Sequence, residues 1–126
     1  MPAIDRCFAG ASVEAIVEAL QQEASEHAEW ASETARTLAS KSPLSLKIAL
    51  RQMQEGKAAS FEECIRIEFR IVCRVLQGHD FYEGVRALIL DKDNCPAWTH
   101  SSLEAVTEAE VDRFFAPLGH DELDLP

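Results

Sequence analysis

At 126 residues, 47% apolar and 27% charged, the chain has the composition of one folded domain, which argues against a disordered or low-complexity protein. Asp and Glu outnumber Lys and Arg by 22 to 12, a formal charge of −10, so phosphate backbones and anionic membrane surfaces are repelled. Nucleic acid and membrane are thereby set aside as partners. One small phosphorylated ligand stays compatible, because a local basic site can sit inside an acidic field.

The chain reads as a series of helices with marked starts. Ser12 precedes Val13, Ile16, Val17 and Leu20 at helical spacing. A second segment runs from about Glu26 to Ala39, with Trp30 and Leu38 as its large apolar residues. Ser42-Pro43 supplies a capping hydroxyl followed by Pro at the first helical position. From there Leu44, Leu46, Ile48, Leu50 and Met53 give a broad apolar face, and Gly56 falls where a left-handed cap is expected. Ser60 with Glu63, Asp80 with Glu83, and Thr107 with Glu110 each match the capping-box pattern. They predict helices over about Phe61 to Gln77, Phe81 to Leu90 and Glu108 to Phe115.

The helix from Phe61 is the most apolar. Phe61, Cys64, Ile65, Phe69, Val72 and Leu76 make one face, and Ile67, Ile71 and Val75 widen it, so contacts on more than one side are expected. Cys64 and Cys73 fall on opposite sides of that helix and cannot bridge there. With Cys7 and Cys95 they form no CxxC pair, and reduced, mostly buried thiols are expected.

No arrangement of chemistry-bearing residues forms a recognisable centre. His27, His79, His100 and His120 lack metal-ligand spacing. The Asp91-Lys92-Asp93-Asn94 run starts like a calcium loop but then has Cys95-Pro96 in the turn and Ser102 in place of the bidentate Glu. Glu68, on the apolar side of its helix, has a candidate acid–base role, but structural pairing is favoured because no second acid, base or nucleophile is placed beside it. The Arg66, Arg70 and Arg74 row could take a phosphate, yet pairing with Glu62 and similar residues is favoured. Cys95 reads as an ordinary loop thiol.

Two segments carry a resemblance. Lys41 to Gly56, KSPLSLKIALRQMQEG, and Gly78 to Trp98, GHDFYEGVRALILDKDNCPAW, closely resemble the C-terminal helices of 3-hydroxyisobutyryl-CoA hydrolases, and the flanking segments look like the same proteins in the same order. More distantly, the Asp80 to Trp98 stretch is similar to the tail segment of enoyl-CoA hydratases. The resemblance implies thioester hydrolysis in valine breakdown, with an oxyanion hole and carboxylates supplied by an upstream β/α spiral core. Those upstream motifs have no counterpart in these residues. In the hydratases a tail Lys lies near CoA, and Lys92 is the matching position. Asp93 stands where the hydratases carry Arg, and Leu88 replaces a nearby Phe.

The expectation is therefore an all-α fold of about five to six helices. Residues 1–126 form a single helical domain, the C-terminal region of a crotonase-type enzyme without its spiral core. Lys92 is the one candidate CoA-binding residue; no catalytic residue, metal ligand or cofactor is assigned, acyl-CoA being the family's substrate. The expected partners are the crotonase core of the same enzyme or of a related subunit, with homo-oligomerisation. The family resemblance implies mitochondrial residence, although no targeting segment is read in these residues. The alternative is a free-standing helical interaction module that self-associates or binds a full-length relative, motivated by the breadth of the Phe61 helix.

Overall fold

The computed structural model describes residues 2–126. Among the described residues seven α-helices run in chain order: α1 (Pro2–Cys7), α2 (Val13–Gln22), α3 (Ala28–Ala39), α4 (Pro43–Gly56), α5 (Phe61–Val75), α6 (Asp80–Val85) and α7 (Glu108–Phe115). A π-helical turn over Arg86–Leu90 continues α6, and a short 3-10 turn covers Gly119–Asp121. Among the described residues there is no β-strand.

The expected five to six helices are thus corrected to seven. The missed element is α1: it has six residues and buries only Ala3 and Cys7, too short a stripe to show a period. The predicted Phe81 to Leu90 helix is also two elements, because the wider π turn begins at Arg86.

The hydroxyls read as caps act as caps at four starts. Ser12, Ser42, Ser60 and Thr107 accept from the amides of Ala15, Ser45, Glu63 and Glu110. Only Thr107 and Glu110 complete a reciprocal box. Gly56 does not adopt the expected left-handed form: α4 runs through it and ends at Lys57 in right-handed geometry.

Two apolar clusters hold the helices. Cys7, Ile16, Leu20, Ala31 and Ala35 join α1, α2 and α3, with Leu50 of α4 packed on them. Ile48, Ile67, Val106, Val111, Phe114 and Phe115 join α4, α5 and α7. α4 therefore bridges the clusters, and polar ties support it: Lys47 reaches Glu14 at 2.8 Å and the Val106 carbonyl at 3.3 Å, while Arg51 pairs with Glu55 and Asp112 and lies over the Phe115 ring.

Periodicity left open which side of α5 meets the core. Ile67, Ile71 and Val75 turn to the core, whereas Phe61, Val72 and Leu76, from the other apolar set, are exposed. Phe114→Ala should accordingly cost about 3–5 kcal/mol of unfolding free energy. Phe61→Ala, at a side chain 75% exposed, should stay within about 0.5 kcal/mol. Urea unfolding of the chain measures both, and equal losses would contradict this division of the faces.

Candidate functional site

The polar groups with the most organised geometry lie between Gly78 and Thr99, the stretch that contains Lys92. Asp80 opens α6 but does not cap it in the manner expected, since its carboxylate is buried and reaches across the fold. It accepts from the Ser42 hydroxyl at 2.5 Å, from the Thr99 amide and hydroxyl at 2.9 Å each, and faces the His79 ring nitrogen at 3.1 Å. Burial opposes its charge. The bonds from Ser42, Thr99 and His79 outweigh that penalty and hold its pKa below the usual carboxylate value.

One turn further on, Glu83 takes the Arg86 guanidinium at 2.7 and 2.9 Å and the Ala97 amide at 2.9 Å. These contacts, the Arg86 bond first, bring its pKa down to about 2. Trp98 closes the return: its indole N–H donates to the Ser40 carbonyl at 3.1 Å, and its ring lies over Gly84, where a Cβ would stand 3.3 Å from the indole. The bare backbone at Gly84 makes room for that ring.

Between these anchors the chain bends sharply. The π turn ends with the Asp91 amide bonded to the Arg86 carbonyl at 2.8 Å, and the Asn94 amide reaches the Ala87 carbonyl at 3.0 Å. Lys92 and Asn94 both adopt left-handed backbone, with φ of 53° and 52°. For a lysine this conformation costs on the order of 1–2 kcal/mol, so the surrounding contacts must hold it. Arg86 supplies most of them. Besides its two bonds to Glu83 it donates to Asp91 at 2.8 Å, Asp93 at 2.7 Å and the Cys95 carbonyl at 3.3 Å. All five N–H donors of a guanidinium are used. The Lys92 side chain is exposed and has no ion pair among the described residues.

The other sequence candidates are placed elsewhere. Glu68 is exposed and accepts from the Gln52 side-chain amide at 2.7 Å, with no acid, base or nucleophile bonded to it among the described residues. Arg70 is tied to Glu63 and Glu122, and Arg74 donates to the carbonyls of Phe114 and Pro117; Arg66 has the longer 3.6 Å pair with Glu63. Arg70 and Arg74 thus hold the C-terminal segment on α5, while Arg66 pairs within the helix. Of the four free thiols only Cys7 is buried; Cys64 and Cys73 are half-buried and Cys95 is exposed. An open groove of about 690 Å³ between α4 and α5 is lined mainly by apolar atoms, with Met53, Cys64 and Ile67 among its walls.

The family profile described as Enoyl-CoA hydratase/isomerase matches residues 1–115. The chain belongs to the enoyl-CoA hydratase/isomerase family. Among its relatives, the mitochondrial 3-hydroxyisobutyryl-CoA hydrolase of Danio rerio is 47% identical over 123 residues, 98% of this chain and 31% of that protein. The human protein of the same description is 41% identical over 123 residues, again 31% of its length. The 3-hydroxyisobutyryl-CoA hydrolase 1 of Arabidopsis thaliana is 41% identical over 128 residues, 34% of its length. The chain thus spans about a third of these relatives.

Solved structures agree. An enoyl-CoA hydratase from Rhodobacter sphaeroides 2.4.1 superposes with a TM-score of 0.87 at 37% identity, covering 98% of this chain and 36% of that one. A carnitinyl-CoA dehydratase from Mycobacterium thermoresistibile gives 0.82 at 36% identity, with 98% and 34% covered. The fold class read from sequence is corrected accordingly. The helices match part of crotonase-fold enzymes and do not define an all-α class of five to six helices.

A pH dependence follows from Glu83. Its pKa is lowered on folding, so its contribution is present above the ordinary value of 4.5 and is lost as pH falls toward about 2. With Trp30 replaced by Phe, Trp98 emission should move to longer wavelength across that window as the Ala97 tie is released. Glu83→Gln should abolish the step. Emission that stays constant across the window would contradict this assignment.

Proposed function

We propose that this chain is the C-terminal helical part of a 3-hydroxyisobutyryl-CoA hydrolase-like enzyme, residues 1–126 forming one helical domain that packs on a crotonase core and borders its CoA site. The observation that carries this reading is the alignment of 98% of the chain, at 47% identity, with 31% of a 3-hydroxyisobutyryl-CoA hydrolase. Thioester hydrolysis of 3-hydroxyisobutyryl-CoA would then be chemistry of the complete enzyme, with the carbonyl polarised by backbone N–H groups of the core. The helical part covers and positions. Association of such enzymes into oligomers, and mitochondrial residence of the kind named for the relatives, belong to the same reading.

The apolar surface supports a packing role. Met53 and Phe61 are 76% and 75% exposed, and Phe81, Tyr82, Leu88, Ile89 and Leu90 on α6 and the π turn are exposed as well. Exposed apolar surface on this scale marks a contact face. Within the site, Lys92 would present its ammonium to an anionic group of CoA, and the Arg86-centred loop would hold it there.

Two assays test the reading. Release of free CoA thiol from 3-hydroxyisobutyryl-CoA should be absent for this chain alone and present for the full polypeptide that carries it. Turnover by the chain alone would overturn the division of labour. Lys92→Gln in the full polypeptide should raise the Kd for CoA by roughly three- to fivefold, the scale of one exposed ion pair. An unchanged Kd would remove Lys92 from the CoA site.

A further inference from the structure

The two residues that flank Lys92 in sequence are both acidic, so each offers its ammonium an ion pair. Neither pair forms here. Asp91 and Asp93 converge instead on one nitrogen of Arg86, at 2.8 and 2.7 Å. The left-handed backbone at Lys92 allows this, because it reverses the chain and brings both neighbours to the same guanidinium while the lysine side chain stays in solvent. The remaining donors of Arg86 fix its own position on Glu83 and on the Cys95 carbonyl.

We propose that Arg86 is a positioning residue for the CoA contact: it sequesters the carboxylates of Asp91 and Asp93 so that the Lys92 ammonium is left unpaired and available to a phosphate of the ligand. The inference rests on the reading of Lys92 as the CoA contact. It also gives a reason why Asp at 93, which opposes an anion on charge alone, is compatible with that contact. A five-donor fork is needed for the task. Lysine has three donors, and a point charge cannot hold Glu83, two aspartates and a carbonyl at once. The same residue that neutralises the two carboxylates also fixes the bend that exposes Lys92.

The experiment is CoA titration of the full polypeptide by calorimetry, with the variants Lys92→Gln, Arg86→Gln, Arg86→Lys and Arg86→Gln combined with Asp91→Asn and Asp93→Asn. Lys92→Gln and Arg86→Gln should each weaken binding by roughly three- to fivefold. Arg86→Lys should fall between Arg86→Gln and the native protein. The combined variant should recover part of the lost affinity, because the released carboxylates are gone while the bend still lacks its guanidinium. A combined variant as weak as Arg86→Gln would reduce Arg86 to a structural role and overturn the proposal. So would native affinity in Arg86→Gln when Lys92→Gln is weakened. Native affinity in Lys92→Gln would fail the underlying reading itself and take this proposal with it.

Discussion

The Asp80 carboxylate, 9% exposed, collects hydrogen bonds from three separate stretches of chain: the cap of α4 through Ser42, the residue before α6 through His79, and the returning segment through Thr99. Ser42 serves twice, accepting from the Ser45 amide as a cap and donating to Asp80. The rest of the candidate site is hung from this junction. α6 starts there, the Arg86 hub lies on the following turns, and the loop that carries Lys92 returns to it at Thr99. A buried carboxylate with this many donors is stable as a charge, whereas its loss would leave Ser42 and Thr99 with unmet hydrogen bonds at about 1–3 kcal/mol per group.

The two apolar clusters are complete where α4 meets α2, α3, α5 and α7, and incomplete along the outer side of α5 and on α6 with its π turn. α6 and the π turn bury only Asp80 and Ala87. They are held to the body largely by polar ties: Asp80 to Ser42, Trp98 to Ser40 and Tyr82 to the Leu76 carbonyl. An element fixed by hydrogen bonds on one side and apolar on the other is suited to receive a second surface. The family's solved structures, of which these helices cover about a third, contain ample chain to supply one.

Most helix positions were legible in the sequence because their starts carry hydroxyl caps and their bodies repeat at helical spacing. α7 was read to the residue, and α3 and α5 to within two residues. α1 was not legible, since two buried positions in six residues make no period. The core side of α5 was not legible, because periodicity identifies an apolar face but not which of two apolar faces its neighbours cover. Within the site, the pattern Asp80-x-x-Glu83 was visible, but its use as long-range ties depends on Ser42, Ala97 and Thr99, which sequence spacing cannot bring together. The role of Arg86 was hidden for the same reason. A signal was present in the alternation of charge over Glu83, Arg86, Asp91 and Asp93, which only a reversal of the chain turns into a cluster.

The proposed packing places a crotonase core over the uncovered faces of α5, α6 and the π turn. Hydrogen–deuterium exchange measures this directly, by comparing amides of Phe61–Val75 and Asp80–Leu90 in this chain alone with the same amides in the full polypeptide that carries it. Slower exchange across both segments in the full polypeptide, with α2 and α3 changed far less, is the predicted result. Identical exchange in the two proteins would contradict the claim and leave those faces for some other partner.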